Sequence, residues 1–153
     1  MTSAPLRQQR LLIDLQSLDS RLARLAHERT HLPVLRRIEA KGYDIIALDR
    51  LTATPDLLAE HYAEHVDKPF YPSIVEYMTS GPVVSVVVEG HRVVEGLRSL
   101  IGSTEPTAAA PGTIRGDLGR DWGGSAMMNL VHGSDSPQSA EREIAIWFPH
   151  LAR

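Results

Sequence analysis

His132 stands in the run Asn129-Leu130-Val131-His132-Gly133-Ser134-Asp135-Ser136, closed by Pro137. A polar turn of this kind leads into a helix and holds an imidazole at its lip, in front of a backbone-permissive glycine. Imidazole titrates near neutrality, so this side chain can serve as a nucleophile or a proton carrier. Glu143 follows eleven residues later on an amphipathic run and can orient the other ring nitrogen. Arg98, Thr104, Arg115 and Asn129 fall in or near the loop-rich stretch from Gly102 to Gly124. A guanidinium is a planar fork suited to phosphate oxygens. Two arginines, a hydroxyl and a histidine at one cleft point to phosphate handling. A neutral imidazole would attack a terminal phosphoryl group while the arginines and a metal offset the charge. Taken singly, the remaining histidines of the 7 in the chain read as solvated or core side chains.

The totals bound what can surround such a group. At 153 residues the chain is long enough for one domain with a core, and 42% hydrophobic against 23% charged residues is an ordinary globular balance. A net charge of −3 without a basic run gives no case for nucleic acid as a partner. With no cysteine there is neither a disulfide framework nor a thiolate metal site, and no protein-built metal centre is read elsewhere. No apolar run reaches membrane-span length and Met1 to Leu12 lacks a signal-peptide core, so no membrane association and a cytoplasmic location are expected. Lys41 and Lys68 are the only lysines, which removes nearly every candidate for a catalytic lysine.

Periodicity supplies the elements. Leu11, Leu15, Leu18, Leu22 and Leu25 are spaced 4, 3, 4, 3, an apolar seam that predicts a helix from about residue 5 to about 30, closed by Pro33. A short helix is expected over Val34–Lys41, capped by Gly42, and then a strand over Tyr43–Leu51. Thr54-Pro55-Asp56 opens a helix to about Glu64, and Tyr71 to Met78 is a second short one. The β-branched run Val83–Glu89 is a buried strand; Val93–Leu100 is helical. Met127–His132 reads as a final strand, followed by a helix over Ser139–Phe148. Few strands and short helices suggest an α+β sandwich, an antiparallel sheet under helices.

From Val34 onward the chain also resembles the nucleoside diphosphate kinase family. The resemblance rests on His61-Tyr62-Ala63-Glu64-His65, Lys68-Pro69-Phe70-Tyr71, Thr79-Ser80-Gly81-Pro82-Val83-Val84, Pro111-Gly112-Thr113-Ile114-Arg115-Gly116-Asp117, the run around His132, and Ser139-Ala140-Glu141-Arg142-Glu143-Ile144. It implies a ferredoxin-like fold, an antiparallel sheet with helices on one face. It also implies a ping-pong phosphotransferase acting on nucleoside di- and triphosphates, with Mg²⁺ held mainly through the nucleotide phosphates, and a homo-oligomer of four or six chains. By resemblance His132 is the phosphohistidine and Glu143 its orienter. Tyr62, His65, Arg98, Thr104 and Arg115 surround the phosphates; Phe70 stacks on the base beside Ile74; Asn129 binds the sugar. A base stacked on a π-face is accepted whatever its identity, which suits broad nucleotide specificity.

The family opens with a strand ending in Lys-Pro-Asp-Gly, and no lysine occurs here before Lys41. The expected organisation is therefore a leucine-seamed N-terminal helix over residues 1–33, similar to the start of bacterial zinc-ribbon coiled-coil proteins, in place of the family's first strand. A kinase-like domain over 34–153 follows. Loss of that strand would leave those at 43–51 and 83–89 without the neighbour between them, whereas Leu11-Leu12-Ile13-Asp14-Leu15 has the composition to fill the gap. Loss of the lysine is expected to slow phosphoryl transfer on the order of 10²–10³-fold. The alternative is a non-catalytic nucleotide-binding or oligomerisation module whose N-terminal helix recruits a partner. Gly119 to Met128 also makes the span from Arg115 to Asn129 about four residues longer than is common in the family.

Overall fold

Leu11, Leu12 and Ile13 are each fully buried, and they lie in the middle of a four-stranded antiparallel sheet. The computed structural model of the chain describes residues 9–15, 21–121, 123 and 129–152, with backbone alone for 14, 15 and 21–30. Strand β1 (Gln9–Leu15) pairs on one side with β3 (Val83–Gly90), Leu12 opposite Val87. On its other side it pairs with β4 (Val131–Gly133), Asp14 opposite His132. Strand β2 (Asp44–Leu51) closes the far edge against β3, so the order is β2-β3-β1-β4.

An unbroken apolar run suits a strand buried on both faces. Leu11 and Ile13 join Val84, Val86 and Val88 in one cluster, and Leu12 joins Val83 and Val87 in the other. On the first face lie α1 (Arg21–Ala40), through Val34 and Ile38, and α4 (Val93–Ile101), through Val93, Val94, Leu97 and Ile101. On the second lie α2 (Pro55–His61), α3 (Tyr71–Thr79) and α6 (Pro137–Trp147), through Leu58, Tyr77, Met78, Ile144 and Trp147. The ferredoxin-like α+β sheet is as expected, but helices cover both of its faces rather than one. The reason is in β3 itself: Val83 and Val87 are as buried as Val86 and Val88, so neither face can be left to water.

The first strand is not replaced by a helix. Residues 9–15 occupy a central position of the sheet, and β2 pairs directly with β3 without needing a neighbour between them. The leucine seam joins two unrelated elements, since Leu11 and Leu15 belong to β1 while Leu22 and Leu25 belong to α1. The remainder of the helix expected over residues 5–30 (5–8 and 16–20) and the start of the strand expected over Met127–His132 lie outside the described residues. Pro33 does not end α1, which runs through it. Proline costs the helix one backbone donor, yet Val34 and Ile38, an i, i+4 pair just after it, are fully buried against the sheet and hold the continuing helix there. Among the described residues no helix is long and apolar enough to cross a membrane.

Candidate functional site

His132 is the middle residue of β4, between buried Val131 and Gly133, so its side chain leaves the strand on the opposite side from theirs. The turn into the strand is tight. Leu130 sits in the left-handed region at φ 73° and the Val131 N–H donates to Asn129 O at 2.8 Å, a γ-turn that a bulky residue adopts only under constraint. The imidazole Nε2 is buried, lies 3.7 Å from Glu143 Oε1, and has no hydrogen-bond partner among the described residues. At that separation the two groups are close neighbours without a hydrogen bond between them.

Glu143 is delivered by α6. Ser136 caps this helix by accepting the Ser139 N–H at 3.1 Å, and Pro137 occupies its first turn, so the helix starts at a fixed point and its i, i+4 residues Glu143 and Trp147 face inward together. The other oxygen of Glu143 accepts the Ser134 hydroxyl at 2.5 Å. Burial pushes the Glu143 carboxyl up, but the neighbouring His132 imidazole and the Ser134 hydroxyl outweigh it and leave its pKa below the usual value. It is an anion aimed at Nε2.

The loop wall is held by Arg115, on the short helix α5 (Ile114–Leu118). Its guanidinium donates to Asn129 O at 3.3 Å, Gly102 O at 3.1 Å and Val131 O at 2.6 Å. Burial first, then the charge of Arg98, lower its pKa to about 10, so it stays charged at neutral pH. Asn129 donates its amide to Thr104 O at 3.1 Å, which closes the same loop. Gly116 allows this fold of the loop, because a Cβ there would stand 2.1 Å from Ala110 O. The Arg98 side chain, on the exposed side of α4, makes no hydrogen bond to another described residue.

The opposite wall comes from α2 and α3. Tyr62 caps the end of α2, its ring 6.4 Å from that of His132. His65 and Phe70 follow at the rim, 5.7 Å apart, Phe70 with half its surface free, and Ile74 lies one turn into α3. Together the walls enclose a cleft of about 680 Å³. All ten residues expected at the site line it: His132, Glu143, Tyr62, His65, Phe70, Ile74, Arg98, Thr104, Arg115 and Asn129. The four extra residues around Gly119–Met128 fall largely outside the described residues, and Asn129 still reaches the cleft.

Eight further residues line the cleft, and three of them bear on its floor and walls. Arg142 donates to Glu60 O at 3.1 Å and His61 O at 3.2 Å, tying α6 to the carbonyl end of α2. Tyr77 is buried with its hydroxyl unpartnered, and burial, then Tyr62, raise its pKa. His61 is buried, with Nδ1 accepting the Trp147 indole N–H at 3.0 Å and its ring centroid 5.0 Å from that of His132. Its position at the buried end of an amphipathic helix, beside Tyr62, was the available signal. His61, His132 and Glu143 each place one possible metal-ligand atom within 4.8 Å of the others. A cation there would need a free lone pair on His61 Nε2, but with Nδ1 already accepting from Trp147, neutral His61 carries its proton on Nε2.

Burial first, then repulsion from His132, lower the His61 pKa from 6.5 to about 4. A histidine lowered in the folded state binds fewer protons there than in the unfolded chain. Its contribution is therefore complete above pH 6.5 and is lost as pH falls toward about 4. We expect stability from this group to fall by up to about 3 kcal/mol across that window. Urea unfolding at stepped pH measures it, and a His61→Phe chain should lose that part of the slope.

Several comparisons match this geometry. The model of the nucleoside diphosphate kinase family matches residues 26–152. The chain is similar to the nucleoside diphosphate kinase of Rhodococcus jostii (strain RHA1), 57% identical over 120 residues that cover 78% of this chain and 84% of the relative. It is similar also to that of Moorella thermoacetica, 55% identical over 115 residues, 75% of this chain and 80% of the relative. Among solved structures, the apo nucleoside diphosphate kinase of Encephalitozoon cuniculi superposes with a TM-score of 0.81 at 34% identity, covering 95% of this chain and 92% of its own. A halophilic nucleoside diphosphate kinase of Halobacterium salinarum in complex with CDP gives 0.79 at 38% identity, covering 93% and 88%.

Proposed function

This chain belongs to the nucleoside diphosphate kinase family, enzymes that move the terminal phosphate of a nucleoside triphosphate onto a nucleoside diphosphate, and from that premise we propose which of its residues carry the transfer. His132 is the nucleophile. Its Nε2 is turned into the protein toward Glu143, which leaves Nδ1 as the nitrogen open to the cleft. That lone pair attacks the γ-phosphorus; the N–P bond forms, the bond to the β–γ bridging oxygen breaks, and the nucleoside diphosphate leaves. A second nucleoside diphosphate then attacks the same phosphorus with its terminal oxygen, and the electron pair returns to Nδ1. Glu143 stabilises the positive charge that the ring carries while phosphorylated, through the Nε2 proton. The observation that carries this reading is the buried Ser134–Glu143–His132 line ending at a cleft walled by guanidinium groups.

The phosphates lie along Arg98, Arg115, Thr104, Tyr62 and His65, the base stacks on Phe70 beside Ile74, and Asn129 meets the sugar. The nucleotide is the ligand chemistry found in the Halobacterium salinarum complex with CDP. Mg²⁺ fits this donor set only as a companion of the phosphates. Three carboxylates line the cleft: Glu143 is engaged with Ser134 and lies beside His132, Asp135 is held by the Ser136 and Ser139 hydroxyls, and Glu64 is exposed at the rim. Three arginines surround them, which does not make an all-protein cage. When bound, the ion would withdraw charge from the phosphate oxygens, with Asp135 and Glu64 as the carboxylates nearest the cleft mouth. A homo-oligomer completes the reading, supported by the edge strand β2 with Ile46 and Leu48 exposed. Sedimentation velocity sorts a tetramer or hexamer from a monomer.

Neither lysine substitutes for the one missing from the family's first motif. Lys41 follows α1, and Lys68 is exposed and does not line the cleft. Arg115 and Arg142 are tied to backbone carbonyls, so Arg98 is the guanidinium with every donor free for phosphate. Arg98→Ala is expected to lower kcat/KM for ATP by about 10²-fold, more than one of several cations would, because no lysine shares its load. The direct test of the function is transfer itself. Protein incubated with γ-labelled ATP and Mg²⁺ should take up acid-labile phosphate that chases onto added GDP; a folded protein that takes none would overturn the reading.

A further inference from the structure

His61 is a buried histidine of the cleft to which the phosphoryl-transfer steps above assign no part. Its surroundings define its chemistry closely. Indole nitrogen can only donate, so the 3.0 Å contact from Trp147 Nε1 requires an unprotonated Nδ1 on His61. A neutral His61 must then carry its proton on Nε2. The buried position keeps it neutral, since the ring is almost fully enclosed and charging it is disfavoured. The acceptor within reach is also defined. His132 Nε2 carries a proton in the arrangement that leaves Nδ1 free to attack, so it cannot accept; a Glu143 oxygen can. One nitrogen of each histidine and a Glu143 oxygen lie within 4.8 Å of one another, a cluster that side-chain rotation can draw into hydrogen-bond distance.

We propose that His61 is a positioning residue for phosphoryl transfer: fixed by the Trp147 indole as the Nε2–H tautomer, it shares the Glu143 carboxylate with His132 and so sets how strongly that carboxylate holds the nucleophile's ring. The inference rests on the reading of His132 as nucleophile. Two consequences follow from sharing one anion between two N–H donors. The Glu143 oxygen has a second fixed neighbour, so the His132 ring is aimed rather than merely tethered. The anion also pulls less on the His132 proton, which keeps the ring neutral, with Nδ1 free to attack, to a lower pH than Glu143 alone would allow. The groups facing His61 are His132 from β4, Glu143 and Arg142 from α6, and Tyr62 from its own chain end.

The test uses the full-length protein, with γ-labelled ATP and Mg²⁺, and follows the rate of label transfer to His132 against pH. Removing the His61 donor in His61→Phe should move the acid limb upward by about one pH unit, the scale of one charge-assisted hydrogen bond, and lower the plateau about tenfold with KM unchanged. His61→Gln, whose amide can present an N–H near the Nε2 position, should restore the limb. Trp147→Phe keeps most of the apolar volume and removes only the indole donor. It should move the limb the same way by less, and it covers the case in which His61→Phe does not fold. Nitrogen-15 spectra of the wild-type ring should show Nδ1 bare and Nε2 protonated. An Nδ1–H ring, or a lower rate with an unmoved limb in both His61→Phe and Trp147→Phe, overturns this inference while leaving His132 as nucleophile. A folded wild type that takes no label overturns both.

Discussion

His132→Ala is expected to reduce label uptake from γ-labelled ATP to background and to lower nucleoside diphosphate kinase turnover by about 10⁶-fold, the scale seen when a covalent nucleophile is removed. The cost to the fold should be small, about 1 kcal/mol, because the ring is partly exposed and its Nε2 makes no completed hydrogen bond that the change would break. Thermal unfolding therefore separates loss of chemistry from loss of structure. The alternative acceptors are close at hand: His61 is 5.0 Å away ring to ring, and Ser134 is two residues along the chain. Acid stability distinguishes them, since phosphate on a ring nitrogen is released in acid and phosphate on a serine hydroxyl is not. Acid-labile label persisting on the variant would move the nucleophile to His61, and acid-stable label would move it to Ser134.

The chemistry was far more legible than the start of the chain. Site residues sit in short runs whose types must be present together, and each run lands on one wall of one cleft: Tyr62 to Ile74 on α2 and α3, Arg98 to Arg115 on α4, the loop and α5, Asn129 to Glu143 on β4 and α6. Residues 9–33 carry a weaker kind of signal. A central strand buried on both faces has no alternation to reveal it, so Leu11-Leu12-Ile13 can be counted into a helical seam as readily as into a strand. Only the partners decide, and they lie in β3 and β4, far away in sequence. Pro33 misled for a related reason. Its local cost to the helix is real, but burial of Val34 and Ile38 on the following turn exceeds it. His61 is illegible in the sequence because a lone histidine gives no indication of which groups its nitrogens will meet; that depends on α6 crossing the end of α2.

The restored strand does not restore the lysine. A complete sheet removes the objection that β2 and β3 would lack a partner, so the sheet that presents β4 and His132 is intact. What is altered is the charge around the phosphates, which here comes from guanidinium groups alone. Two of the three are already bonded to carbonyls and cannot move toward a ligand without breaking those bonds. Such a site is rigid where a lysine would be adaptable.

Arg115 shows what that rigidity depends on. The carbonyls of Asn129 and Val131, both bonded to its guanidinium, flank Leu130, the residue forced into the left-handed region just before the nucleophile. A strained γ-turn persists only when its surroundings over-determine it, and this fork grips it on both sides. The third bond, to Gly102 O, anchors the grip to the end of α4. Arg115→Met would strand three carbonyls in a largely buried setting and is expected to cost about 3–5 kcal/mol in urea unfolding. Arg115→Lys should cost about 2–3 kcal/mol, since a single ammonium cannot span the three acceptors in the geometry of a planar fork. Both should also slow labelling of His132, because relaxing Leu130 turns the strand that aims the imidazole. If Arg115 served the phosphates alone, Arg115→Met would leave unfolding within about 0.5 kcal/mol and raise only the nucleotide requirement. The two outcomes differ by several kcal/mol. The same titration therefore decides whether the two N–H groups left over from the clamp are the arginine's main function or an addition to its hold on the turn before His132.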